Sequence, residues 1–159
     1  MAWAPTARIT YVDASRRMLE LTRRDLVRNN LNGPVEFTCA DILQWTPEAA
    51  QYDLIATHFF LDCFRPDQIC AIVKKLSQAA KPSASWLLSD FQIPRSGLSR
   101  WRARAIVRCM YTFFRAATKL PASGLSEADE YLEACGFNLR ARSVSEWGLL
   151  RSDHWERGA

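Results

Sequence analysis

Two aspartates, Asp13 and Asp41, stand where a carboxylate could bind a ligand, because each closes or directly follows a short strand-like segment. In open α/β sheets the carboxyl ends of parallel strands face the ligand crevice. An ionised carboxylate only accepts hydrogen bonds, so one of the pair suits the hydroxyl groups of a ribose and the other an adenine amine. An aspartate at a strand end can instead cap the following helix or turn, and that alternative stays open for each residue alone. Together, the two residues predict a nucleoside site.

The elements that must position these aspartates alternate between strands and helices. Strand-like segments cover residues 8–12, 35–39, 52–61 and 85–91, while helical patterns begin at Ser15 and at Pro66. Connections of this length allow right-handed crossovers, which build a parallel sheet. Residues 52–61 are largely apolar, which is typical of a central strand buried on both faces. The predicted fold class is α/β.

The C-terminal third predicts a long helix, a second helix and two strands. In the helix over residues 97–120, we expect an apolar side to be buried and an arginine side to face solvent. The apolar side carries Leu98, Trp101, Ala105, Cys109, Phe113 and Leu120, and the opposite side carries Arg100, Arg104, Arg108 and Arg115. The second helix is expected to be capped by Ser126 and to end at Gly136. The strands after Gly136 predict an antiparallel pair at one sheet edge.

Composition narrows the class of protein further. The chain has 159 residues, enough for one domain over residues 1–159 with its own core. It has no run of about 18 apolar residues and no signal-peptide core at the N-terminus, so we expect a cytoplasmic protein without a transmembrane segment. The five cysteines include no C-x-x-C pair, which favours reduced thiols and no metal site. A net charge of +4 argues only weakly for nucleic acid, and no such partner is expected.

The order and spacing of these segments resemble a class I S-adenosylmethionine-dependent methyltransferase. The resemblance extends from Ile9 to Trp155, and no single motif carries it alone. Its segments are Val12-Asp13-Ala14-Ser15 with Met18-Leu19, Phe37-Thr38-Cys39-Ala40-Asp41-Ile42, Tyr52-Asp53-Leu54-Ile55 leading into His58-Phe59-Phe60-Leu61-Asp62-Cys63-Phe64, Leu88-Ser89-Asp90-Phe91, and Gly136-Phe137. The resemblance implies a Rossmann-like, mostly parallel sheet with helices on both faces, in the strand order 3-2-1-4-5-7-6 with the last strand antiparallel.

The resemblance also implies a cofactor and the residues that hold it. S-adenosylmethionine is the expected cofactor, and a small molecule is the expected methyl acceptor. The implied cofactor-binding residues are Asp13 at the ribose, Asp41 and Ile42 at the adenine, and Ala14, Met18, His58 and Phe59 around them. The segment from His58 to Phe60 is expected beside the transferred methyl group, with His58 as the candidate catalytic residue. Candidates for the substrate pocket are Trp101, Tyr111 and Phe114.

One part of the family pattern has no counterpart here. Members begin with a strand and a glycine-rich G-x-G-x-G turn whose backbone approaches the methionine part of the cofactor. The first glycine of this chain is Gly33, and no G-x-G occurs. We therefore expect an N-terminally truncated member that lacks the first strand–helix unit, whose strand would be the middle of the sheet. Loss of that wall of the site predicts weak or absent cofactor binding and a chain that could lack activity.

Several other interpretations stay open. The chain could be a non-catalytic remnant or interaction module that keeps the fold without the cofactor. A short-chain nicotinamide-dependent oxidoreductase would also place an acid after its second strand, but no tyrosine here has a lysine four positions on. The arginine side of the long helix suits an acidic substrate or an anionic membrane, although a solvated outer face is the simpler explanation. A structural role is the alternative for His58, and weaker catalytic candidates are Asp62, Tyr111 and His154.

Overall fold

A computed structural model describes residues 7–31, 33–94, 96–118 and 128–158. The chain divides into two compact units, Met1–Thr46 (unit 1) and Pro47–Ala159 (unit 2). Across the described ranges, no helix is both long and apolar enough to span a membrane. The single domain expected over residues 1–159 stays a prediction.

Unit 1 is a strand–helix–strand segment. It consists of β1 (Ile9–Asp13), α1 (Arg16–Arg28) and β2 (Val35–Cys39). The two strands pair in parallel, with Asp13 opposite Cys39 at their carboxyl ends. The Oγ atom of Ser15 accepts a hydrogen bond from the backbone N–H of Met18 at 3.3 Å, which caps α1 as the sequence predicts. Because the strands are parallel, both carboxyl ends lie at one edge of this small sheet.

The described part of unit 2 contains a four-stranded sheet with helices. Its elements are β3 (Tyr52–His58), a 3-10 helix (Leu61–Cys63), α2 (Pro66–Ala79), β4 (Ala80–Phe91), α3 (Leu98–Thr118), α4 (Asp129–Ala134), β5 (Phe137–Ser145), a second 3-10 helix (Glu146–Gly148) and β6 (Leu150–Arg157). The strand order is β3-β4-β6-β5. β3 and β4 are parallel, whereas β6 runs antiparallel to both β4 and β5. The predicted antiparallel strands are therefore confirmed.

The strand orders of the two sheets confirm the α/β class and the relation to the methyltransferase fold. The pair β2-β1 corresponds to 3-2 in the expected order, and β3-β4-β6-β5 corresponds to 4-5-7-6. Both parallel pairs are joined through a helix, as a parallel connection requires. The absence of the family's first strand–helix unit stays a prediction.

The core of unit 2 is built around two tryptophans on neighbouring strands. Trp86 on β4 and Trp155 on β6 are both fully buried and stand opposite each other in the strand register. The Trp86 ring meets the Phe137 ring edge-to-face, with the centroids 5.5 Å apart. Its indole N–H donates a buried hydrogen bond to the Thr57 hydroxyl at 2.9 Å, which joins β4 to β3.

The expectation for residues 52–61 is wrong in two respects. The strand ends at His58, after which the chain turns into the first 3-10 helix. β3 is also not buried on both faces, because the Leu54 side chain is 53% exposed. Within the described ranges β3 pairs only with β4, so it forms an edge of its sheet. An apolar run does not by itself distinguish a central strand from an edge strand, because it reveals no neighbours.

The buried side of α3 is also not the predicted one. Small and β-branched residues make the contact: Ala103 and Val107 pack with Leu149. Leu98 and Trp101 are instead 90% and 72% exposed. The small Ala103 lets the helix approach the sheet closely, and a periodicity weighted by large apolar residues misses such a face. Of the other residues assigned to the apolar side, Ala105 and Cys109 are exposed, and the side chains of Phe113 and Leu120 lie outside the described ones.

The last helix begins later than expected. α4 starts at Asp129, and Ala128 occupies the N-cap position without a side-chain hydrogen bond. The predicted cap, Ser126, lies outside the described residues. Gly136 follows α4 with φ of +84°, a conformation that favours glycine, so this end of the helix is confirmed.

Candidate functional site

Asp13 is the last residue of β1, and one of its carboxylate oxygens already has a structural role. Oδ1 accepts a hydrogen bond from the backbone N–H of Ser15 at 2.7 Å, which fixes the turn into α1. The backbone carbonyl of Asp13 accepts from the N–H of Ala40 at 3.1 Å and so extends the pairing of the strands. Oδ2 has no hydrogen-bond partner among the described residues and can accept from a ligand.

Asp41 repeats this arrangement beyond the end of β2. Its Oδ1 accepts a hydrogen bond from the backbone N–H of Leu43 at 2.9 Å. Its backbone carbonyl accepts from the N–H groups of Gln44 and Trp45 at 3.0 and 2.8 Å, which closes the turn after the strand. The side chain is exposed, and no residue of the described chain pairs with Oδ2. The capping role and an open acceptor oxygen therefore occur together in both aspartates.

The strand register places these carboxylates at neighbouring strand ends. Asp13 pairs with Cys39, and Asp41 follows Cys39 by two residues. Two open carboxylate oxygens at neighbouring strand ends, both of which only accept hydrogen bonds, match the hydroxyl and amine donors of a nucleoside. The two hydrogen-bond acceptors therefore fit the nucleoside part of the cofactor that the sequence predicts.

The other residues predicted around the nucleoside differ in accessibility. Ala14 is exposed directly behind Asp13, and Met18 is about half exposed on the first turn of α1. Ile42, directly after Asp41, is instead buried. Unit 1 thus brings together the five predicted residues Asp13, Ala14, Met18, Asp41 and Ile42.

The remaining predicted cofactor residues, His58 and Phe59, lie at the carboxyl end of β3 in unit 2. His58 is exposed and stands opposite Ser89 in the parallel register. Phe59 adopts a left-handed backbone conformation, with φ of +49°, which is an outlier for a bulky residue. Its N–H donates to the carbonyl of Ser89 at 2.7 Å, and its ring packs on Phe91 with the centroids 5.0 Å apart.

Two buried carboxyls, Asp62 and Asp90, interact near this turn. The sequence indicates Asp62 only as a weaker catalytic candidate and Asp90 only as part of Leu88-Ser89-Asp90-Phe91. Asp90, near the end of β4, is 4% exposed, and its Oδ1 atom is buried without a hydrogen-bond partner among the described residues. Burial, followed by the negative charge of Asp62, raises the pKa of Asp90 to about 7. Burial likewise raises the pKa of Asp62 above its usual range. The signal was available, because Asp90 closes a strand just as Asp13 does.

Cys63 belongs to the same cluster. Its thiol donates weak hydrogen bonds to Oδ1 of Asp62 at 3.6 Å and to the carbonyl of Phe59 at 3.7 Å. Burial and the neighbouring carboxylate raise the pKa of the thiol to about 12. Cys63 is therefore a hydrogen-bond donor rather than a nucleophile near neutral pH.

Two arginines, Arg142 and Arg151, form ion pairs with Asp129 and Asp153. Arg151 lies 2.9 Å from Asp129 and 3.7 Å from the buried Asp153. Arg142 binds both oxygens of Asp153, at 2.7 and 2.8 Å, and also lies 2.7 Å from Asp129. These hydrogen bonds raise the pKa of the Arg142 guanidinium further above its usual range. The network ties α4 to β5 and β6.

The candidates for the substrate pocket are placed only in part. Trp101 is exposed on α3, and nothing in the described residues covers its ring. Tyr111 and Phe114 fall within α3, but their side chains lie outside the described ones. His154, a weaker catalytic candidate, lies in the middle of β6, with its Nε2 atom 3.3 Å from the hydroxyl of Ser85.

Comparisons with known proteins concern the family and the fold of the chain. The sequence profile of one family, described as a methyltransferase domain, matches residues 1–83. No curated protein matches the sequence. Among solved structures, the fold is similar to a SAM-dependent methyltransferase from Methanosarcina mazei, with a TM-score of 0.66 at 18% identity over 93% of this chain and 81% of that one.

Two further structures are similar at low identity. A protein from Bordetella parapertussis gives a TM-score of 0.68 at 20% identity and covers 96% of this chain and 54% of its own. The S-adenosylmethionine-dependent methyltransferase SibL, in its apo form, gives 0.69 at 20% identity, with 98% and 45% covered. This chain thus spans about half the length of these two proteins. Because the family profile covers more than half of the 159 residues, the chain belongs to the methyltransferase domain family.

Proposed function

We propose that this chain is the main part of an S-adenosylmethionine-dependent methyltransferase that acts on a small molecule. The observation that carries the proposal is the pair of open oxygens on Asp13 and Asp41 at neighbouring strand ends. In this proposal Asp13 accepts from the ribose hydroxyls and Asp41 from the adenine amine. In the same proposal the exposed Ala14 and Met18 contribute to the cofactor site, and Ile42 lies at the adenine beside Asp41.

The chemistry asks for positioning more than for reactive side chains. S-adenosylmethionine, when bound, supplies a methyl group on a positively charged sulfur. The protein's task is to hold the acceptor in line with that bond and to exclude water. His58 and Phe59 are the side chains proposed beside the methyl group, with His58 able to accept a proton from the acceptor. Trp101, Tyr111 and Phe114 stay proposals for the acceptor pocket.

We also propose that the 159 residues alone bind the cofactor weakly or not at all. The sequence contains no G-x-G turn to approach the methionine part of the cofactor. In the described residues, β1 pairs only with β2 and β3 only with β4, so each strand has an edge that an additional parallel strand could fill. A chain extended by a strand, a glycine-rich turn and a helix is expected to bind at micromolar concentration.

Isothermal titration calorimetry with S-adenosylmethionine tests both statements. The 159-residue chain and an extended chain are compared, together with Asp13→Asn and Asp41→Asn in the extended chain. Each substitution is expected to weaken binding at least about tenfold, since a charge-assisted hydrogen bond is lost. Asp25→Asn, on the exposed surface of α1, is the matched control and should bind normally. If the Asp13 and Asp41 variants bind S-adenosylmethionine as tightly as the unsubstituted extended chain, the nucleoside site is contradicted.

A second candidate function is a non-catalytic module that keeps the fold. The same partly paired sheets support it, because a methyltransferase site needs the edge that these strands leave open. If the extended chain also binds no cofactor, the non-catalytic module becomes the better explanation. The five free cysteines fit the reducing cytoplasm proposed as its location in either case.

A further inference from the structure

α3 turns its apolar side chains away from the core of unit 2. Its buried residues are Ala103 and Val107. The opposite side of the helix carries four exposed residues at helical spacing: Leu98, Trp101, Ala105 and Cys109. Large apolar side chains that stay in contact with water are unfavourable, and a group of them marks a surface that meets a less polar medium.

A second exposed tryptophan adjoins this side of α3. Trp147, in the 3-10 helix between β5 and β6, is 80% exposed, and the Arg102 guanidinium lies 5.6 Å from the centre of its ring. Its backbone is left-handed, with φ of +59°, and so are those of its neighbours Glu146 and Gly148. Gly148 also approaches Pro94 closely, because a Cβ there would lie 2.7 Å from the proline ring. A strained backbone thus presents Trp147 to the outside, as is typical of functional segments.

The charge of α3 is positive throughout. Arg102, Arg104 and Arg108 are exposed, and none of them forms an ion pair with a described residue. Between Phe91 and Ser126 the sequence has seven lysines and arginines and no acidic residue, whereas the rest of the chain has 14 basic and 17 acidic residues. The positive charge of the protein is therefore concentrated on the segment that contains the exposed apolar side.

We propose that this surface binds the chain to the headgroup region of an anionic lipid bilayer. The tryptophan–arginine surface consists of Leu98, Trp101, Arg102, Arg104, Arg108 and Trp147. Tryptophan favours the boundary between headgroups and acyl chains, because its ring is apolar and its N–H is polar. Arginines are attracted to anionic headgroups and bind phosphate with two parallel hydrogen bonds. This membrane contact goes beyond the proposed function and does not depend on it.

Two other occupants fit the tryptophan–arginine surface less well. A second copy of the chain would place arginines against arginines across a twofold axis, and the like charges oppose that contact. A single-stranded nucleic acid could stack on the two tryptophans, but it would give Leu98 and Ala105 no apolar medium. A bilayer accommodates the positive charge and the apolar side chains together.

Co-sedimentation of the 159-residue chain with lipid vesicles tests the proposal. Vesicles of phosphatidylcholine with about one-third phosphatidylserine should bind at least about tenfold more tightly than vesicles of phosphatidylcholine alone, because the arginines are attracted to the anionic surface. Added salt should weaken this binding. Trp147→Ala should weaken it at least about fivefold, since apolar area no longer enters the bilayer. Arg104→Gln combined with Arg108→Gln should weaken it about thirtyfold.

Arg16→Gln combined with Arg17→Gln is the matched control. It removes the same charge from the exposed start of α1 and should bind vesicles as the wild type does. Equal losses in the two double variants would show general electrostatic attraction and overturn the assignment to α3. Absence of binding to the anionic vesicles also overturns the proposal. In that case, binding to poly(uridylic acid) or dimer formation, if Trp147→Ala abolishes it, identifies the other occupant. Failure to bind S-adenosylmethionine would contradict the proposed function and leave the vesicle result intact.

Discussion

Asp90 on β4 stands directly opposite Arg151 on β6, yet the ion pairs of Arg151 go to Asp129 and Asp153. The nearest cation is thus shared with two other carboxylates. Burial then dominates the titration of Asp90 and raises its pKa. The fold therefore favours the protonated form of this buried carboxyl.

The first prediction concerns stability against pH. The pKa of Asp90 rises from 3.8 to about 7, so between these values the folded chain holds a proton that the unfolded chain has released. This stabilisation is fully present below about pH 4 and is lost as the pH rises through about 7, by up to roughly 4 kcal/mol. In urea unfolding, the free energy of unfolding should fall less steeply with rising pH between about pH 4 and pH 7 in Asp90→Asn than in the wild type. A slope identical to that of the wild type would contradict the buried titration.

The second prediction separates a buried ion pair from an exposed one. Arg142→Met removes the bidentate hydrogen bonds to the buried Asp153 and should lower the free energy of unfolding by about 3 kcal/mol. Arg140 lies on β5 together with Arg142. Arg140→Met removes its exposed ion pair with Glu156 on β6 and should lower the free energy of unfolding by less than about 1 kcal/mol. Equal losses in urea titrations would show that the network around Asp153 is not tighter than a surface pair.

The third prediction compares the two environments of tryptophan. Thr57→Val leaves the fully buried indole N–H of Trp86 without an acceptor and should destabilise the fold by about 1–3 kcal/mol. Trp101→Ala removes a far larger side chain from α3, yet should change stability by less than about 0.5 kcal/mol because the ring is exposed. Thermal unfolding by circular dichroism measures both. A large loss for Trp101→Ala would mean that α3 buries its predicted apolar side after all.

The fourth prediction distinguishes the two roles of Asp13. Asp13→Asn keeps an oxygen for the Ser15 N–H, so stability should change by less than about 0.5 kcal/mol. Asp13→Ala removes that acceptor and should cost about 1 kcal/mol. Both should lose the same affinity for S-adenosylmethionine in the extended chain, since neither presents a charged acceptor. Retained affinity in Asp13→Asn alone would show that the oxygen matters and the charge does not.

The fifth prediction concerns thiol reactivity. Iodoacetamide labelling near pH 8 should modify the exposed Cys70 and Cys109 at least about a hundred times faster than Cys63, whose pKa of about 12 leaves almost no thiolate. Peptide mapping by mass spectrometry resolves the sites. Asp62→Asn should accelerate Cys63, because it removes the nearest negative charge and its hydrogen bond. Rapid labelling of Cys63 in the wild type would show that the turn above it opens freely.

The fold was predictable from sequence wherever a local rule decides the structure. The cap at Ser15 and the stop at Gly136 depend on residues that lie within a few positions of each other. The apolar run over residues 52–61 did not predict the exposed face of β3, because pairing with distant strands decides which side chains are covered. The buried side of α3 was missed for a related reason: Ala103 carries little hydropathy signal but permits the closest approach.

The candidate site was predictable in its positions but only partly in its chemistry. The strand-end rule located Asp13 and Asp41, and the structure adds that one oxygen of each is engaged in a turn. The same rule applied to Asp90 would have found the third carboxyl. Its burial, however, depends on β6, which lies some sixty residues further along the chain. Titration near neutral pH is thus a property of the assembled sheet.

The position of β6 has a consequence for how the chain acquires its structure. This strand follows every other described strand in sequence, yet it pairs on both sides, with β4 and with β5. β4 and β5 therefore have no common neighbour until β6 is in place, and the fully buried Trp155 enters the core with that strand. Folding of unit 2 therefore depends on long-range contacts that only β6 completes, which makes it slow. Until β6 pairs, the apolar strands of unit 2 expose hydrophobic surface and unpaired edges. We therefore expect chaperones to assist this step.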